Sequence, residues 1–110
     1  MSNKHIIDNI NNNIKIKYIV EIINKKWHDK LNNYIFSEYN DLLTNMKIIC
    51  ISLDLSKITI PNIIVKLYKN KYGFKMIKLL NINKRTYWIL KYDKYYVFRH
   101  KQIIDYLNEM

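Results

Sequence analysis

Apolar residues along this chain recur at two different spacings, and each change of spacing marks an expected element. Ile14, Ile16, Tyr18, Val20 and Ile22 alternate with Lys15, Lys17, Ile19 and Glu21, the period-two pattern of a half-buried strand. Ile16, Val20, Ile23, Trp27, Leu31 and Tyr34 also fit helical spacing; the density of β-branched residues favours the strand up to Ile23. Asn24 is a suitable helix cap, and Trp27, Leu31, Tyr34, Ile35, Leu42 and Leu43 then recur at three- and four-residue intervals, so an amphipathic helix is expected to about Thr44. Met46 to Leu53 and Ser56 to Ile60 are short β-branched runs on either side of Asp54-Leu55, which predicts two strands joined by a tight turn.

Pro61 fits a first helical turn and Gly73 fits a left-handed stop, so Asn62 to Tyr72 is expected as a helix. Its apolar side would be Ile63, Ile64, Leu67 and Tyr68, with Lys66, Lys69 and Lys71 opposite. Phe74 to Ile82 and Thr86 to Tyr92 read as strands around an Asn83-Lys84-Arg85 loop. Tyr95 to Phe98 extends the sheet, and Lys101 to Glu109 closes the chain as a helix with Ile103, Ile104 and Leu107 on one face. The expected class is α+β: a mainly antiparallel sheet with two packed helices in the order β-α-β-β-α-β-β, plus a short C-terminal helical extension. Residues 1–13, ending in Asn11-Asn12-Asn13, form a flexible start or a short helical turn; residues 14–93 form the domain; residues 94–110 form an extension on or beside it.

Charge changes the picture because it is uneven. The formal net charge is +10; residues 1–65 hold eight Lys and six acids, whereas residues 66–110 hold eleven Lys or Arg and three acids. Such a surplus is a footprint for phosphate backbones or anionic membranes. No apolar run approaches the roughly 20 residues of a spanning helix, the best being Ile48 to Leu53, and the first residues lack the layout of a signal peptide. A soluble intracellular protein is expected. Ala is absent, and Gly and Pro occur once each among many Ile, Asn, Lys and Tyr, a bias of coding nucleotides more than of function.

The residues also resemble a known family, the eukaryotic ribosomal protein L-twenty-two family of the large subunit. Ile48-Ile49-Cys50-Ile51-Ser52-Leu53-Asp54-Leu55-Ser56-Lys57-Ile58-Thr59-Ile60 is similar to its central hairpin, including a Ser-Lys-Ile-Thr core. Ile77-Lys78-Leu79-Leu80-Asn81-Ile82-Asn83-Lys84-Arg85-Thr86-Tyr87 is similar to its penultimate strand and hairpin, and Ile16-Lys17-Tyr18-Ile19-Val20-Glu21-Ile22 to its opening strand. The chain departs from the pattern in a shorter basic helix before Gly73 and in an aromatic segment at 94–110 where the family has an acidic tail. The resemblance implies a structural role in the large subunit of the cytoplasmic ribosome. Its implied partners are ribosomal RNA and neighbouring large-subunit proteins, with no cofactor, membrane or small-molecule substrate. It carries RNA contact over to Lys66, Lys69, Lys71, Lys84 and Arg85.

The residues themselves point the same way, less specifically. Lys66, Lys69, Lys71, Lys75, Lys78, Lys84 and Arg85 form a cluster that would neutralise phosphates and bind with strong salt dependence. The competing reading is a solvated basic face. Tyr87, Trp88, Tyr92, Tyr95 and Tyr96 are candidates to stack on unpaired bases, although alternation assigns at least half of them to the core. Catalysis finds little support: His5, His28 and His100 lack metal-ligand spacing, Cys50 lies alone in an apolar run, and Gly73 by itself cannot build a phosphate loop. The alternative class is a small basic protein-interaction module, with a viral protein or an antagonist of a host factor among its candidates, docking through its aromatic C-terminal segment.

Overall fold

The computed structural model describes residues 3–110, with side chains from residue 13 onward. The chain divides into two units, residues 1–32 and residues 33–110.

The first unit is one helix, α1 (Asn3–Lys26), continued by a turn. The strand expected over Ile14 to Ile23 is therefore helical, and Asn24, the expected cap, lies inside it. The helical set wins over the alternating one: Ile23 is buried and Val20 and Trp27 are half-buried, while Ile14, Ile16, Tyr18 and Ile22 are exposed. A helix closes its hydrogen bonds within itself, whereas a strand needs a neighbour. Of the expected N-terminal segment 1–13, residues 1 and 2 lie outside the described residues and the backbone from Asn3 belongs to α1.

The second unit is a six-stranded antiparallel sheet closed by a short helix. Its strands are β1 (Tyr34–Phe36), β2 (Lys47–Ser52), β3 (Asn62–Lys69), β4 (Lys75–Asn81), β5 (Thr86–Lys91) and β6 (Tyr95–His100), followed by α2 (Ile103–Asn108). They lie in the order β1-β6-β2-β3-β4-β5, so the chain is α+β with an antiparallel sheet and two helices. The order β-α-β-β-α-β-β is replaced by a helix, six strands and a helix.

Each departure has a local cause. The helix expected from Trp27 to Thr44 is interrupted at Asn33, whose φ of 70° is left-handed, and the aromatic run after it forms β1. The helix expected from Asn62 to Tyr72 is β3 and the hairpin that follows it. A β-bulge between Ile64 and Lys66 inserts one residue, so the core-side residues Ile64 and Leu67 stand three apart and imitate helical spacing. Gly73 is left-handed as expected, at φ 83°, but it closes a hairpin. There the Gly73 N–H donates to the Asn70 carbonyl at 2.9 Å, and the Asn70 side-chain oxygen accepts from Tyr72 and Phe74 N–H at 2.9 and 3.0 Å. This is a three-residue hairpin loop with glycine in the left-handed position.

β2 forms where expected, but its returning partner is reduced to one bridge, Ile51 with Ile58, beside a Thr59-to-Cys50 hydrogen bond of 2.9 Å. Asp54 organises the turn between them, accepting from Ser52 Oγ at 2.7 Å, Ser56 Oγ at 2.6 Å and Ser56 N–H at 3.0 Å. These three donors hold its carboxyl down at about 2, below the ordinary 3.8. Tyr95 to Phe98, expected to extend the sheet, do so within β6, which is an interior strand between β1 and β2. α2 is tied back to that strand by Arg99, which donates twice to Asp105 at 2.7 and 2.9 Å and holds its carboxyl well below the usual carboxylate range. Lys101 also pairs with Glu109.

Burial splits the sheet in two. Ile48, Ile49, Cys50 and Ile51 of β2 and Val97 and Phe98 of β6 are all buried, so these central strands are covered on both faces. Burial pushes the Cys50 thiol up to about 12, so it is a packing group. β3, β4 and β5 are buried on one face only, through Ile64, Ile77, Leu79 and Leu90 with Leu67 and Trp88 packed against them. On that face Trp88 Nε1 donates to Asn62 Oδ1 at 3.3 Å, and the buried Asn62 amide donates to the Ile60 carbonyl at 2.8 Å.

Two outcomes follow from these turns. Gly73→Ala should lower stability to denaturant by about 1–2 kcal/mol through backbone strain alone, because a Cβ there meets nothing within 4 Å. Gly73→Asn should recover part of the loss; equal stability for all three would contradict the assignment. Asp54 stabilises the fold above its ordinary range and loses that contribution as pH falls towards about 2. An NMR titration should place its midpoint there and show it rising when Ser52 and Ser56 are both changed to Ala.

Candidate nucleic-acid interface

The pleat decides what the uncovered face of β3–β4–β5 presents. Leu67 faces the core opposite Ile77, so the neighbouring pair Lys66 and Lys78 points the other way. Ile77 is paired with Leu90 and Leu79 with Trp88, all on the core side, which leaves Tyr87, Ile89 and Lys91 of β5 on the open side. Tyr68, paired with Met76, shares that side. Tyr87 and Ile89 are 61% and 53% exposed.

The open face carries the cations Lys66, Lys78 and Lys91. Residues 62–92 contain eight Lys or Arg and no Asp or Glu. The ion pairs Arg99–Asp105 and Lys101–Glu109 lie outside that span. The ammonium groups rest on aromatic rings instead: Lys66 lies 5.1 Å from the Tyr68 centroid, Lys78 lies 5.0 Å from Tyr87, and Lys91 lies 3.4 Å from Phe74. A ring face attracts a cation without cancelling its charge, so each lysine is held in place and remains available to an anion.

The seven sequence-predicted residues fall into three groups. Lys66 and Lys78 sit side by side on the open face. Lys69, Lys71 and Lys75 gather at the β3–β4 hairpin. Lys69 is paired with Lys75, and Lys75 is half-buried with its ammonium 5.6 and 6.0 Å from the Tyr39 and Tyr92 rings. Lys84 and Arg85 lie in the β4–β5 turn at the other end of β4, exposed, with Arg85 left-handed at φ 54°. The basic helix expected to bring Lys66, Lys69 and Lys71 onto one side does not form, and in β3 the bulge and hairpin separate them.

Sequence reading missed Lys91, Tyr68 and Phe74 as members of this surface. Their signal was present for Lys91: Tyr87, Ile89 and Lys91 alternate with Trp88 and Leu90, and the pair that faces the core identifies the set that does not. Of the five aromatics considered for base stacking, Trp88, Tyr92 and Tyr95 pack on the core, Tyr96 sits half-buried opposite Ile51, and Tyr87 is open.

Among the described residues no group of three or more His, Cys, Asp or Glu is placed to hold a metal ion, and no helix is long and apolar enough to cross a membrane. No protein-family model, curated protein or solved structure matches the chain.

Like charges directly opposite on a sheet repel. Raising salt from a few millimolar towards physiological strength should therefore stabilise the fold, and Lys78→Gln should reduce that gain by about 0.2–1 kcal/mol. Urea unfolding of both proteins at matched salt measures the difference; an identical salt response would show that the Lys66–Lys78 repulsion is not felt.

Proposed function

We propose that the protein is an RNA-binding protein whose contact surface is the open face of β3–β4–β5 together with the Lys84-Arg85 turn. The observation that carries this reading is a three-stranded meander whose residues 62–92 hold eight cations and no carboxylate, with Lys66, Lys78 and Lys91 on its open face. Lys66, Lys78 and Lys91 supply phosphate contacts across the strands, and Lys84 and Arg85 extend the positive surface past the β4 end. Such contacts position a nucleic acid by its backbone, with affinity that falls as salt rises.

Ribosomal RNA of the large subunit is the narrower form of this proposal. Of the three stretches that resemble the ribosomal family, 77–87 forms a strand and hairpin turn and 48–60 a strand with a single returning bridge, while 16–22 is helical and the basic helix implied before Gly73 is β3. That placement rests on the sequence resemblance and charge, and the wider proposal of RNA does not depend on it. Co-sedimentation with large subunits in low-salt lysate tests it; native protein found only in a ribosome-free fraction would overturn it.

A protein-docking role is favoured by a different observation: on α2, Ile103 is 80% exposed, Ile104 58% and Leu107 54%, on a helix fixed by Arg99 and Asp105. Binding of a labelled structured RNA across a salt series separates the two. The RNA reading expects log affinity to fall linearly with log salt, and the combined change of Lys66, Lys78 and Lys91 to Gln to shallow the slope by about 2–3. Unchanged affinity in that variant would remove the sheet face as the binding surface.

A further inference from the structure

We infer that the open face of β3–β4–β5 takes unpaired bases, so that the preferred ligand is single-stranded RNA read as a stack along β5. This rests on the RNA reading above and adds a ligand class to it. Phosphate attraction alone is indifferent to strandedness, so the inference comes from the uncharged part of the surface.

Tyr87 is 61% exposed even with the Lys78 ammonium 5.0 Å from its ring centroid. It stands on an edge strand, beside Ile89, with no strand beyond it. An exposed Tyr and Ile on a strand flanked by solvent leave apolar surface in water that a duplex cannot cover, because duplex bases present their edges in grooves and keep their faces stacked. An unpaired base offers its face. Tyr87, Ile89 and Lys91 project on one side of β5 at about 6–7 Å intervals, the repeat of alternate residues in a strand. That order places a ring, an apolar step and a cation along one extended track.

The neighbouring strands complete it. Lys78, opposite Ile89, and Lys66, opposite Lys78, form a row of cations across the sheet, with Tyr68 beside Lys66. An extended RNA strand lying along β5 with its bases on Tyr87 and Ile89 crosses that row beside Lys78 and meets Lys91 farther along the strand. The strands of the meander contribute no acid to the track themselves, and Asp93 lies just past its Lys91 end. An exposed ring and cations on one sheet face are the combination that single-stranded nucleic acids use, stacking for the bases and charge for the backbone.

The experiment uses the full chain and two probes, a short labelled oligouridylate and a blunt RNA duplex with the same number of phosphates. Anisotropy titrations at matched salt should show tighter binding of oligouridylate. Tyr87→Val, a strand-compatible change at an exposed site, should weaken oligouridylate binding by about tenfold while leaving the duplex affinity and the salt slope unchanged. Tyr87→Trp should preserve it. If Tyr87→Val leaves oligouridylate binding within twofold while the Lys66, Lys78 and Lys91 variant weakens both probes, the stacking platform is wrong and the RNA reading stands. If the unaltered protein binds neither probe, the RNA reading itself fails.

Discussion

The pleat of the β3–β4–β5 meander is the constraint on which the site depends. Alternate residues of a strand point to opposite faces, so burying Ile64, Leu67, Ile77, Leu79, Trp88 and Leu90 commits every other side chain to the opposite side. The cost of disturbing that arrangement is high: Ile64, Ile77 and Leu79 are fully buried, and truncating such a residue to Ala costs about 2–5 kcal/mol. Lysines at 66, 78 and 91 and the ring at 87 have no other place to go. A one-residue slip in register would exchange the two sets, which is why the bulge at Val65 and the Gly73 hairpin matter to a surface they do not themselves form.

Electrostatics works against the fold here. Lys66 and Lys78 face each other directly, and no acid in residues 62–92 relieves them. In the C-terminal region two acids are paired: Asp105 is gripped by Arg99, and Glu109 by Lys101. The proposal of an anionic ligand rests on the contrast between that region and a meander whose own residues supply no acid. The tyrosine and phenylalanine rings beneath the ammonium groups hold them apart at little electrostatic cost.

Much of this arrangement was legible in the sequence, and the parts that were not have identifiable causes. Lys75–Asn81 and Thr86–Lys91 followed from β-branched and aromatic alternation bounded by Asn83-Lys84-Arg85, and α2 from the spacing of Ile103, Ile104 and Leu107. β3 was hidden by its own bulge, which converts a spacing of two into a spacing of three between Ile64 and Leu67. Gly73 deepened the error, since a left-handed glycine ends a helix and closes a hairpin equally well. For α1 the alternating and helical sets overlapped at Ile16 and Val20, and only burial of Ile23 distinguishes them. Of the site, the seven basic positions were visible as a cluster; their division into a face and two turns, and the place of Lys91 on the face, required the strand register.

The measurement that bears most directly on the central claim is an NMR map of where RNA touches the molecule. On titration with single-stranded RNA, the side-chain signals of Lys66, Lys78, Tyr87, Ile89 and Lys91 should move together, while the core-side signals of Ile77, Leu79 and Leu90 stay in place. Perturbations confined to Ile103, Ile104 and Leu107, or spread evenly over all lysines, would contradict the account.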